Sequence, residues 1–286
     1  MRIGLSPRQA RGFLSAVLIA ATGVVVPGAA IAAPQDRFYE RSFVLAANDR
    51  CGLFEPQLTA ALTAAAWQAR GAALRAGSSD RQLAETAQRA RARANTTPCG
   101  STDLKTVQGR VQTAFSGWSR TTRMEFPGDR RKWSADRAAY ARPTWRLMQA
   151  TVTGASPVRF GVVGGMDRPD QLAAVVSWQG RSRPTGVRVV MRDHTVAPRP
   201  WLSHDLPPAA QRRAFWAAGV TSAEPMLLPE GRPAGQAWLF PAAAADALST
   251  LDPREVFTVE FLFRDGSIAR STFEAGDFAA GRAFLA

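Results

Sequence analysis

Two histidines lie ten positions apart in a run that also carries serine and aspartate: Asp193-His194, then Ser203-His204-Asp205. Imidazole beside hydroxyl and carboxylate is the material of nucleophilic hydrolysis. Two imidazoles with two carboxylates could also hold a metal. The spacing speaks against both. Adjacent side chains point apart, and a triad is assembled by folding rather than by neighbourhood. The chain has no Gly-x-Ser-x-Gly elbow and no His-Glu-x-x-His helix. The leading expectation is a polar loop, with both imidazoles as caps or facing solvent. A hydrolase working through His194 or His204 is the alternative.

The densest cationic stretch runs from Arg120 to Arg146. It holds Arg120, Arg123, Arg130, Arg131, Lys132, Arg137, Arg142 and Arg146 against Glu125, Asp129 and Asp136, with Trp118, Phe126, Trp133, Tyr140 and Trp145 interleaved. Guanidinium over an aromatic ring gives cation–π contact, and the same alphabet suits an anionic polymer. A helix over Ser134–Ala141 would put Trp133, Arg137 and Tyr140 on one face at i, i+4, i+7. The candidate binding set is Arg130, Arg131, Lys132, Trp133, Arg137, Tyr140 and Arg142. The competing view is a strap whose aromatics pack inward while its arginines snorkel to water. Gly161, Gly164 and Gly165 are not followed by the Lys-Ser/Thr of a phosphate loop, so they read as a strand end and turn.

Cys51 and Cys99 are the only cysteines. They exclude a disulfide-dense mini-fold and a four-cysteine zinc site. In an exported chain two loop cysteines are expected to pair. Closing the 47 residues between them contributes on the order of 4 kcal/mol in the chain-entropy picture. No cofactor and no metal are expected from these patterns.

The elements that must position these groups divide into two alphabets. Residues 36–118 read as helices. Arg37–Ala47 is the first, and Pro56 suits the first position of a second that runs to about Ala76. Leu58, Leu62, Ala65, Ala69 and Ala72 form its core stripe. Gly77 reads as its C-cap. Ser78, Ser79 and Asp80 supply caps for a third helix to about Ala94. Ser101 and Asp103 start a fourth, with Leu104, Val107, Val111 and Phe115 apolar at helical spacing.

From residue 147 the runs are short and β-rich: Leu147–Thr153, Val158–Val163, Leu172–Trp178 and Val187–Arg192. Phe257, Val259, Phe261 and Phe263 alternate with Thr258, Glu260, Leu262 and Arg264, the period of a strand. Asp265-Gly266 is the hairpin turn and Ile268–Phe273 the return. Short helices are expected at Ala209–Ala218, Pro241–Leu248 and Asp277–Leu285, and a long loop over Pro198–Pro208. The fold class predicted is α+β: a disulfide-tied helical module (36–118), a basic aromatic connector (119–146) and an antiparallel, sandwich-like β-rich module (147–286).

Arg2, Arg8 and Arg11 precede an apolar run, Phe13–Val26. Pro27, Gly28 and Ala30-Ile31-Ala32 follow, so residues 1–32 read as a cleaved signal peptide. The 14-residue run is short of the roughly 20 residues that a spanning helix needs. No span is expected after cleavage, and the location expected is the periplasm.

The chain of 286 residues has 36 basic and 23 acidic residues, a formal charge of +13, and 46% of it is apolar. That composition excludes wholesale disorder. Of the 36, 34 are arginine, which points to codon usage as much as to a basic surface. Residues 33–149 carry 19 basic and 10 acidic side chains, whereas residues 150–286 carry 14 and 13. The excess is therefore local. Export separates the protein from nucleic acid. The partners expected are an anionic envelope component (phospholipid, lipopolysaccharide or glycan) or an envelope protein.

Four stretches look familiar together: Asp49-Arg50-Cys51-Gly52-Leu53-Phe54, the run from Gln68 to Gly77, Phe126-Pro127-Gly128-Asp129, and the run from Gly276 to Ala283. On these the chain resembles an uncharacterised family of exported bacterial proteins, over most of its length after residue 32. The resemblance implies export and brings no catalytic residue. The final strand–turn–strand with Gly276-Asp277-Phe278 is also similar in pattern to the end of invasion-associated locus B proteins, which are periplasmic and β-rich. The functional expectation is a non-enzymatic binding or interaction protein, with the hydrolase and a structural or assembly role as alternatives.

Overall fold

Pro34 and Pro56 each open a helix, where a missing N–H leaves nothing unpaired. These are α1 (Pro34–Cys51) and α2 (Pro56–Arg75). Ser79 caps α3 (Asp80–Thr96) with a reciprocal capping box to Gln82, and Ser101 caps α4 (Thr102–Trp118). Gly77 takes φ +97°, and Gly77 and Ser78 donate their N–H groups back to Leu74 and Ala73. That is a Schellman ending, which needs a residue tolerant of positive φ. The computed structural model describes residues 33–138, 140–180 and 182–285. The expected signal peptide lies outside them.

The Cys51–Cys99 disulfide is present, with Cα atoms 5.7 Å apart. It ties the end of α1 to the loop that leads into α4. α1 packs between α2 and α3. The buried alanines Ala61, Ala64, Ala66, Ala69 and Ala73 show a wider core stripe on α2 than the five residues expected.

The fold is α+β. Strands β1 (Arg123–Pro127), β2 (Lys132–Asp136), β3 (Thr144–Thr153), β4 (Ser156–Gly165), β5 (Arg168–Val176), β8 (Gly219–Ser222) and β9 (Gln236–Leu239) form one antiparallel sheet in the order β1-β2-β3-β4-β5-β9-β8. A second sheet has the order β11-β10-β6-β7, from β6 (Gly186–Arg192), β7 (Arg212–Trp216), β10 (Val256–Leu262) and β11 (Ile268–Glu274). Helix α5 (Ala242–Ser249) precedes β10, and α6 (Phe278–Leu285) ends the described chain. The inner faces of the two sheets share one core around Phe160, Phe257, Phe261 and Phe273. Phe160 and Phe257 rings lie 5.1 Å apart.

Two expected helices are strands. The helix considered over Ser134–Ala141 is contradicted by β2, where Trp133 and Ala135 are buried and Lys132 and Ser134 are exposed. This period of two outweighs the i, i+4, i+7 spacing of Trp133, Arg137 and Tyr140. The helix expected over Ala209–Ala218 is a short 3-10 turn, Ala209–Gln211, followed by β7. The segment has helix-forming residues but no apolar helical stripe, and pairing with β6 decides its state. Residues 119–146, expected as a connector, contribute β1 and β2 to the large sheet.

Helices and sheets are joined through α6. Arg75 on α2 makes a two-pronged salt bridge to Asp277, at 2.9 and 3.0 Å. Gly71 leaves room for this, since a Cβ there would lie 1.9 Å from the Asp277 Oδ1. Gly281 likewise lets α6 sit on Leu147. The described helices and sheets lie in one compact unit.

Candidate functional site

The expected sites are best taken first. His194 is exposed, and its Nδ1 lies 3.3 Å from the Thr250 hydroxyl. His204 is exposed and makes no hydrogen bond or ion pair among the described residues. The loop binds itself. The Asp193 carboxylate accepts from the Thr195 hydroxyl at 2.6 Å and from its N–H at 2.9 Å, which holds Asp193 below the usual carboxylate range. Asp205 N–H donates to Ser203 Oγ at 3.2 Å, turning that hydroxyl toward the backbone rather than an imidazole. Among the described residues no three His, Cys, Asp or Glu side chains are grouped to hold a metal.

The basic aromatic set is not gathered on one face. Trp133 is fully buried, and its Nε1 donates to the carbonyls of Glu274 and Ala275. Arg130 and Arg131 donate backbone N–H groups to the Glu274 carboxylate at 3.0 Å each. Their exposed side chains, with Lys132, border a depression of about 530 Å³ floored by Gln149. Lys132 also pairs with Glu125 at 2.5 Å. Tyr140 donates to Asp136 and accepts from Arg123. Arg142 is exposed beside Asp167 and Glu224 in a separate hollow.

Arg137 is a packing residue. Its guanidinium lies 4.1 Å from the Trp118 ring centre and 4.7 Å from that of Phe284. It donates to the Trp118 and Ser119 carbonyls at the C-terminal end of α4, where a cation is favoured.

A third place emerges from α4. Its apolar residues Leu104, Val107, Val111 and Phe115 have the helical spacing read from the sequence. Of the 17 residues of α4, Leu104 alone is fully buried. The helix is held at its two ends. At the first, Leu104 packs with Ala47, Ala94, Cys51 and Leu53, and Gln108 donates to the Leu53 carbonyl at 2.9 Å. At the second, Trp118 packs on Phe284, with ring centres 5.5 Å apart. Between these anchors Val107, Val111 and Phe115 rest on Val44, Leu58 and Leu62 but stay partly open, and a groove of about 520 Å³ runs along them. Its walls are Phe43 and Val44, Leu58 and Leu62, and Val111 and Phe115.

The groove is apolar along its length and charged at one end, where Glu40 and Arg41 line it and Arg37 lies just beyond. Gln108 on Leu53 marks the apolar end, beside Leu58 and Val107. At the other end Arg41 donates to the Ala65 carbonyl. Burial, then the like charge of Arg37, push the Arg41 guanidinium below its ordinary value, while Glu40 pulls the other way. Arg37 stands one turn earlier on the same helical face. Its Nε is buried and has no hydrogen-bond partner among the described residues. Neither arginine forms a salt bridge among the described residues, although Glu40 lies near. Arg110 stands exposed on the rim.

The apolar face of α4 was visible in the sequence; that it stays half open was not. Arg37 and Arg41 gave no signal, because they lie outside the dense basic stretch. Comparison with known proteins finds no family model, no curated protein and no solved structure that matches the chain.

Proposed function

We propose that this chain is an exported, non-enzymatic binding protein of the bacterial envelope, and that it takes the acyl chain of an envelope lipid into the groove between α1, α2 and α4. The observation that carries this reading is the half-open apolar face of α4. An amphipathic helix ordinarily closes its stripe on the core. Here Val107, Val111 and Phe115 touch Val44, Leu58 and Leu62 yet stay only partly buried, and a groove large enough for a ligand opens along them. From Val107 to Trp118 the slot follows twelve residues of helix, about 16 Å from first to last, the length of an extended chain of about a dozen carbons.

Export is supported by the signal-type pattern of residues 1–32 and by the Cys51–Cys99 bridge, which suits an oxidising compartment. The anionic envelope component expected from the sequence becomes, on this reading, a lipid rather than a glycan.

The test is titration of the purified protein with N-phenyl-1-naphthylamine, a neutral fluorophore that brightens in apolar sites. One probe per chain is expected. Ala114→Trp places an indole into the groove from an exposed position of α4 and should weaken binding at least tenfold. Absence of binding, or binding indifferent to Ala114→Trp, would remove the groove as the site.

A further inference from the structure

The two ends of the groove differ in a way that selects among lipids. Arg41 is drawn half into the slot and, among the described residues, has the Ala65 carbonyl as its hydrogen-bond partner. Arg37, four residues earlier and just beyond the groove lining, acts on Arg41 through space and has a buried Nε without a partner among the described residues. A guanidinium taken from water is costly unless it is paired, and two of them one turn apart repel. Elsewhere the protein pairs such groups: Arg192 is matched by Glu255 at 2.6 and 2.7 Å, and Arg75 by Asp277. Against these two cations this end of the groove sets the Glu40 carboxylate, which leaves a net positive charge where an outside anion would gain most.

We infer that Arg37 and Arg41 form a head-group site, and that the ligand is a lipid with a single acyl chain and a carboxylate or phosphate head. This rests on the reading of the groove as an acyl site. The head group would lie beside Arg37 and Arg41, near Ala65, with the chain running along Val111 toward Leu58 and Val107. The fork of guanidinium N–H groups suits the paired oxygens of a carboxylate or phosphate. A neutral head would leave the two cations opposed, and a cationic head would add to the repulsion. One slot of this length accommodates one chain.

The experiment displaces N-phenyl-1-naphthylamine with four compounds of one chain length, each kept below its micelle concentration: dodecanoate, dodecyl phosphate, dodecanol and dodecyltrimethylammonium. Inorganic phosphate is a fifth arm. The two dodecyl anions are expected to displace at least tenfold more tightly than dodecanol, the cation least well, and inorganic phosphate not at all. Arg37→Gln combined with Arg41→Gln should abolish the preference for anions while the neutral fluorophore still binds. Arg41→Lys should keep part of it. Arg37→Gln alone removes no hydrogen bond to the Nε, so it reports on charge if the double variant fails to fold.

Equal displacement by dodecanol and dodecanoate overturns the inference, as does an anion preference that survives loss of both arginines. Displacement by an amphipathic peptide but by no dodecyl compound also overturns it. If the fluorophore binds and no dodecyl anion displaces it, the head-group site fails and the groove stands. If the fluorophore itself does not bind, the groove reading falls with it.

Discussion

The β sandwich and the helical layer treat the same residue types in opposite ways. Between the sheets, apolar rings are closed over: Phe160, Phe257, Phe273 and Trp133 are all fully buried. Charges there are matched even on the outer face. Across the four-stranded sheet, Arg270, Glu260, Arg188 and Trp216 occupy one cross-strand row. Glu260 is only 2% exposed and is gripped by Arg188 at 2.7 Å and Arg270 at 2.9 Å. Arg188 in turn lies 5.3 Å from the Trp216 ring centre. In the helical layer, Phe115 and Val111 stay only partly buried, and Arg37 and Arg41 lack a salt bridge among the described residues. One region has spent its interactions on itself. The other keeps apolar surface and positive charge in reserve, which is what a binding site requires.

The contrast can be broken by substitution. The largest effect belongs to the sandwich: Phe257→Ala should cost about 3–5 kcal/mol of unfolding free energy in urea. A cost near 1 kcal/mol would mean that the sheets do not close as tightly as their ring contacts indicate.

The next effect concerns the ion row and depends on pH. Burial alone would raise the Glu260 carboxyl, but hydrogen bonds from Arg270 and Arg188 outweigh it and hold it below its ordinary value of 4.5. A carboxylate depressed in the folded state adds stability above its unfolded value, and that stability is lost as pH falls through the folded one. Glu260→Gln should therefore cost about 1–2 kcal/mol at pH 7, a figure kept small because Arg270 and Arg188 are partly exposed. The deficit should shrink as the pH is lowered below 4.5. Denaturant melts at pH 7 and pH 3 would show it, and a deficit independent of pH would deny the ion pairing.

The smallest effect belongs to the groove. Phe115→Ala should cost about 1–2 kcal/mol, less than the sandwich substitution, because the ring is only partly buried. It should nonetheless weaken the fluorophore more than Phe257→Ala does at temperatures where both variants are folded. A stability loss equal to that of Phe257→Ala would make α4 ordinary core.

Much of this architecture was legible in the residues, and the reason lies in local signals. Pro56, Ser79, Gly77 and Ser101 mark helix ends through backbone chemistry within a few residues. Phe257 to Phe263 alternate cleanly because one face of β10 is core. β1, β2 and β7 to β9 were hidden, since each is four or five residues long and owes its state to a neighbour distant in sequence. The misplaced weight on Trp133 has the same source. Aromatic and basic residues alternated along the chain, and the strand then sent Trp133 inward and Lys132 outward. The groove was half legible: the apolar spacing of α4 is local, whereas the groove along it is set by anchors at Leu53 and Phe284.

The Arg75–Asp277 bridge spans 202 positions in the chain. It has a consequence for the order of events during synthesis. α6 follows every strand in the chain, yet Phe278 and Phe284 fill the sandwich core and Asp277 fastens α2. α1 to α4 and their disulfide are complete by Trp118, but the sandwich has no closed interior until residues 278–285 have been made and folded back.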